Sequence, residues 1–137
     1  FIGILNGSFL FAADFIRKYQ NNCEVTFVKL SSYQGTESSE IVNELIGINE
    51  DLTGRTVIIL EDIIDTGSTL HKIYDTFKNK KVKQLKIATL FFKPDVYRKE
   101  LPIDYIGKSI EDKFIVGYGL DYNGLGRNLP AIYQLTK

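Results

Sequence analysis

Residues Val57–Leu70 read VIILEDIIDTGSTL, and this stretch decides the architecture. The run Thr56–Leu60 is β-branched and apolar without alternation, the mark of a strand buried on both faces of a parallel sheet. Downstream, Thr69–Lys80 is predicted to be an amphipathic helix, with Leu70, Ile73, Tyr74 and Phe77 at i, i+3, i+4 and i+7. Between strand and helix lie two adjacent carboxylates, Glu61 and Asp62, and a small hydroxyl-rich turn, Asp65-Thr66-Gly67-Ser68-Thr69.

The same alternation continues outward. Phe1–Leu5 reads as a strand broken by Asn6-Gly7-Ser8, and Phe9–Tyr19 as a helix apolar over more than half its circumference, hence well buried. Val25–Leu30 and Leu85–Phe92 read as strands, Ser31–Glu40 as a loop, and Ile41–Ile48 as a minor strand or turn. Asp51–Gly54 is a turn signal, Pro94 and Pro102 frame a polar connection, and Tyr105–Ile106, Phe114–Tyr118 and Ala131–Leu135 are later strand candidates. This order predicts an α/β fold, an open and mainly parallel twisted sheet flanked by helices. No repeat or linker interrupts the 137 residues, so a single domain over 1–137 is expected. The chain contains no methionine and starts inside an apolar run, so a native N-terminal segment is expected to be missing.

Composition removes several function classes. Lys+Arg and Asp+Glu balance at 17 each, so no net field recruits nucleic acid. No apolar run approaches the roughly 20 residues of a membrane span. The single cysteine, Cys23, is expected to be a small apolar filler and suits a reducing, cytoplasmic setting. His71 reads as an ordinary helix residue.

In open α/β sheets, ligands bind beyond the carboxyl ends of the strands. Here those ends carry Asn6-Gly7-Ser8, Ser31-Ser32-Tyr33, Glu61–Thr69 and Lys93-Pro94. Backbone N–H groups at a helix start, beside the hydroxyls of Thr66, Ser68 and Thr69, make a receptor for a phosphate dianion. Carboxylates so close would repel that anion unless they serve something else, and sugar hydroxyls and Mg²⁺ are their natural partners. A phosphate, a diol and a metal together describe 5-phosphoribosyl-1-pyrophosphate. The bland alternative is a helix N-cap with a glycine turn behind a solvated strand end. A nucleotide P-loop and a dinucleotide fingerprint are both absent.

VIILEDIIDTGSTL resembles the signature of the type I phosphoribosyltransferases. The segments LNGS, SSY, EDIIDTG, FFKP and DKFIVGYGLDYNGLGRNLP are together similar to the hypoxanthine(-guanine) phosphoribosyltransferases, from Ile2 to about Leu135. The resemblance implies the type I fold with a small hood, built from the C-terminal part and the missing N-terminal part. It implies that Asn6 and Gly7 form a pyrophosphate loop with a cis Leu5–Asn6 bond. Many members carry lysine where this chain has Asn6, so backbone contacts are what is expected there. Ser32 and Tyr33 match a lid over the reacting centre.

By the same resemblance, Glu61 and Asp62 would bind the ribose hydroxyls and the metal. Asp65 would be the general base for purine N7, and Thr66, Gly67, Ser68 and Thr69 would hold the 5-phosphate. Lys93 would read the 6-oxo group, Phe114 would stack on the base, and Ile115 would offer backbone groups to its edge with Lys113 alongside. Asp121 would border the purine and hold a second Mg²⁺, and Arg127 would bind pyrophosphate. The implied reaction is purine salvage with Mg²⁺: transfer of phosphoribosyl to N9 of hypoxanthine or guanine, in a homodimer or homotetramer. Two alternatives stay open, a xanthine- or guanine-preferring enzyme and a non-catalytic regulator that senses 5-phosphoribosyl-1-pyrophosphate.

Overall fold

The structure is a computed structural model that describes residues 1–32 and 42–135. In chain order its elements are β1 (Ile2–Leu5), α1 (Phe9–Lys18), β2 (Thr26–Ser32), β3 (Val42–Ile46) and β4 (Thr56–Ile64). There follow α2 (Ser68–Lys78), β5 (Gln84–Phe92), β6 (Tyr105–Ser109), β7 (Ile115–Val116) and β8 (Tyr133–Gln134). Six strands form one sheet in the order β3-β2-β1-β4-β5-β6, and β7 pairs with β8 separately. All pairs of the main sheet are parallel except β2 with the edge strand β3. The carboxyl ends of β1, β2, β4 and β5 therefore share one rim.

Burial on both faces explains why β4 lacks alternation. Val57 and Ile59 belong to a core with Ile2, Ile4, Ile87 and the α2 residues Leu70, Ile73 and Phe77. Ile58 and Leu60 point the other way, to Ala88, Ala12 and the α1 aromatics Phe11 and Phe15. One helix thus covers each face, as the periodicities predict.

Four expectations need correction. The fourth strand runs to Ile64, so Glu61 and Asp62 lie within it, Glu61 opposite Thr89 of β5, instead of beyond its end. The apolar composition of α1 predicts deep burial, yet Ala12 is its one buried residue. Its large rings are only partly buried: Phe11 and Phe15 pack against the cluster around Leu60 and Ala88, and Phe1 stands edge-on to Phe15 at 5.2 Å and to Tyr19 at 5.0 Å. Cys23 is exposed and fills nothing, because it sits in the connection after α1. Ser31 and Ser32 extend β2 against Asn43 and Val42 instead of opening a loop, while Tyr33 lies outside the described residues.

Candidate active site

The β4–α2 turn is built around Gly67, whose φ of +83° favours glycine. A methyl group there would also meet the Tyr97 ring at 2.5 Å and Lys99 Cγ at 3.0 Å. Gly67 is the N-cap of α2 and has no side chain to cap it, so the opening N–H groups of the helix are left for a ligand. A cleft of about 250 Å³ lies against this turn, lined by Leu5, Gly7, Glu61 and the run Asp65 to Thr69. The DTGST turn and the β1 tip therefore face one space. Asn6 is exposed at that tip, and the Leu5–Asn6 peptide bond is cis, as the resemblance implies.

Glu61 and Asp62 are only 9% and 8% exposed. Burial, reinforced by the charge of Asp62, pushes the Glu61 carboxyl well above its ordinary range. Asp62 packs against Gly7, where any side chain would collide with its carboxylate. Among the described residues no ion pair reaches either carboxylate. Nor do three His, Cys, Asp or Glu side chains gather there into a metal cluster. Two hard oxygen donors without a nitrogen or sulfur donor suit Mg²⁺, which takes one or two carboxylates and fills its shell from substrate and water. The pair fits that ion.

A second cleft, about 220 Å³, is lined by Asp62, Ile63, Asp65, Lys93, Phe114, Ile115, Leu120 and Asp121. Lys93 follows β5, anchored by its N–H to the Ile64 carbonyl at 3.0 Å. The side chain is buried, and its Nζ donates to Asp65 Oδ2 at 3.2 Å and to Asp112 Oδ1 at 3.0 Å. Burial pulls the Lys93 pKa down, but the bonds to Asp112 and Asp65 outweigh it and hold the ammonium above its usual value. Phe114 is 52% exposed, with Tyr122 edge-on at 5.6 Å. Ile63 and Asp65 line both clefts, so Asp65 stands at their junction.

The β7–β8 segment closes over the rim. Gly119 lies so tightly on the Gly7 carbonyl that a Cβ would not fit. Arg127 donates to the Gly119 carbonyl at 2.6 Å and pairs with Asp121 Oδ1 at 2.6 Å, while Asp121 Oδ2 accepts the Gly124 N–H at 2.8 Å. Tyr118, at φ +48°, donates its hydroxyl to Asp14 Oδ2 at 2.6 Å, which ties this segment to α1. Burial, then that carboxylate, pushes the Tyr118 pKa to about 12.

The structure thus brings together Asn6, Gly7, Glu61, Asp62, the turn Asp65 to Thr69, Lys93, Phe114, Ile115, Asp121 and Arg127. Lys113 is not among them. It lines a neighbouring groove with Phe91, Lys108 and Gln134, which borders the second cleft at Ile115. Asp121 borders the second cleft but is engaged by Arg127, apart from any metal cluster. Sequence reasoning missed Asp112, although it opens the DKFIVGYGL segment and an acid beside such a motif was a usable signal. It also missed Tyr97 against Gly67 and the link of Asp14 to Tyr118, 104 residues apart, for which no local signal exists.

Residues 1–123 match the family model described as phosphoribosyl transferase domain. A hypoxanthine-guanine phosphoribosyltransferase of Staphylococcus epidermidis is 43% identical over 135 residues, which are 98% of this chain and 75% of that protein. A crystal structure of a Bacillus anthracis hypoxanthine-guanine phosphoribosyltransferase superposes with a TM-score of 0.91 at 45% identity, covering 98% of this chain and 80% of that one. The Trypanosoma cruzi hypoxanthine phosphoribosyltransferase, solved with its product IMP, gives 0.91 at 35% identity, covering 98% and 73%.

Proposed function

The chain belongs to the phosphoribosyltransferase family, and from that premise we propose that it is a purine salvage enzyme. It transfers 5-phosphoribosyl from 5-phosphoribosyl-1-pyrophosphate to N9 of hypoxanthine, and of guanine, giving IMP or GMP and pyrophosphate. The observation that carries the reading is the junction of the two clefts at Asp65. One cleft has the N–H and hydroxyl groups for a 5-phosphate, the other an aromatic face and a buried ammonium for an oxopurine. A carboxylate stands between them, where base and sugar must meet.

In this reading the Thr66–Thr69 turn grips the 5-phosphate at the start of α2. Glu61 and Asp62 bind the ribose hydroxyls and hold Mg²⁺, which when bound supplies positive charge for the diol and the pyrophosphate. Asn6-Gly7 offers backbone groups to that pyrophosphate, and Arg127 neutralises it as it leaves. Phe114 stacks on the purine while Lys93 donates to its 6-oxo oxygen, holding N9 toward C1 of the sugar. Asp65 takes the N7 proton, so electron density rises at N9 as the glycosidic bond forms. Asp121 and the Ile115 backbone border the base. Ser32, at the end of β2, is assigned to the lid. The same reading places the enzyme in the cytoplasm as a homodimer or homotetramer, which light scattering after size-exclusion chromatography reads directly.

The deciding experiment is a spectrophotometric assay with 5-phosphoribosyl-1-pyrophosphate, Mg²⁺ and, in turn, hypoxanthine, guanine, xanthine and adenine. Turnover of hypoxanthine and guanine without adenine is expected. Turnover of xanthine or guanine alone would reassign the acceptor, and binding of the sugar diphosphate without any turnover would make the chain a sensor.

A further inference from the structure

Lys93 carries more than the reading above uses. Its ammonium is bracketed by two carboxylates from different parts of the chain, Asp65 in the β4–α2 turn and Asp112 in the connection between β6 and β7. The lysine is 6% exposed, so it cannot reach water freely, whereas both carboxylates are about half exposed. An ammonium has three N–H donors. Asp65 and Asp112 take two, which leaves one for an acceptor in the cleft that Lys93 shares with Phe114 and Ile115.

Asp112 also lies two residues before Phe114, in a connection docked on β5 by the Ile110 N–H to the Phe92 carbonyl at 2.8 Å. One hydrogen bond therefore couples the strand tip that bears Lys93 to the segment that bears Phe114. Without it, an ammonium excluded from water would turn to its remaining anion, Asp65. The proposed base would then face a full counter-charge, and the donor would leave the oxopurine.

We propose that Asp112 is a positioning residue for the 6-oxopurine, holding the Lys93 ammonium between the base cleft and Asp65 and registering it with Phe114. The inference rests on the function proposed above and adds a residue outside the ligand-touching set. Asp112 acts through Lys93. It lines neither the cleft at the Asp65–Thr69 turn nor the one beside Phe114, so its effect reaches the purine only through Lys93.

The test compares the parent chain with Asp112→Asn, nearly isosteric but neutral, and Asp112→Glu, which keeps the charge on a side chain one methylene longer; the side chain is exposed. In Asp112→Asn the KM for hypoxanthine should rise about tenfold, as expected when the carboxylate facing Lys93 becomes a neutral acceptor and the ion pair is lost, with the KM for 5-phosphoribosyl-1-pyrophosphate within about twofold. Asp112→Glu should recover part of that loss. An unchanged hypoxanthine KM, an equal rise in both KM values, or no recovery with glutamate overturns the proposal. A second readout does not depend on turnover. In ¹⁵N-labelled protein the Lys93 ammonium resonance, identified by its absence in Lys93→Gln, should persist in the parent and broaden in Asp112→Asn. If the parent turns over no oxopurine, the function fails, and an unchanged resonance in the variant separately refutes the restraint of Lys93.

Discussion

Asp65 and Lys93 face each other at 3.2 Å, so a change at either alters the charge that the other meets. Asp65→Asn keeps the shape of the turn and an acceptor for Lys93 but cannot take a proton. Its kcat should fall by about 10²–10⁴ with both KM values little changed. Near-normal turnover would remove Asp65 from the role of base. Lys93→Ala deletes the proposed donor to the 6-oxo group and leaves Asp65 and Asp112 without their cation. Use of hypoxanthine should weaken by about tenfold or more while discrimination against adenine relaxes. An unchanged hypoxanthine-to-adenine ratio of kcat/KM would show that another group reads the oxo oxygen.

At the scale of elements, the β4–turn–α2 unit does two jobs with one run of residues. Its apolar positions pin it to both faces of the sheet, and the turn between them is left with hydroxyls and open N–H groups. Gly67 joins the two jobs, since its backbone conformation and the Tyr97 ring both exclude a side chain. Gly67→Ala should therefore cost about 1–3 kcal/mol in urea denaturation. It should also raise the KM for 5-phosphoribosyl-1-pyrophosphate and leave that for hypoxanthine near its parent value. A variant with parent stability and an unchanged KM would mean that the turn adapts freely and is not a preformed cradle.

Across the whole molecule, a buried acidic pair in a central strand is a stability cost kept at the proposed ligand site. Folding raises the Glu61 pKa above its ordinary 4.5, through burial first and the charge of Asp62 second. The folded chain thus holds this proton more tightly than the unfolded one. The corresponding stability is fully present below pH 4.5 and is lost as pH rises through the raised value. Glu61→Gln stays neutral throughout, so in Mg²⁺-free urea titrations its advantage over the parent should grow as pH rises above the ordinary 4.5. Activity should fall in the same variant. A stability difference that stays flat over that range would show that Glu61 ionises in the fold as it does in the open chain.

What the sequence determined by itself was local. The β-branched run before Glu61, the helical spacing of Leu70, Ile73, Tyr74 and Phe77, and the hydroxyl turn between them are set by neighbours along the chain. Periodicity and turn chemistry were therefore enough to predict a parallel sheet with a hydroxyl-rich turn at its rim. The resemblance then supplied Lys93, Phe114, Asp121 and Arg127 as residues of one site. Tertiary structure decided where those chemistries meet and how their charges are held. It showed Glu61 and Asp62 inside β4, placed Lys113 outside the cleft that Lys93 and Phe114 line, and left the rings of α1 only partly buried. It also joined Lys93 to both Asp65 and Asp112, and Tyr118 to Asp14. Burial and ion pairing depend on what the rest of the chain brings within a few ångströms, and no pattern of neighbours along the sequence encodes that.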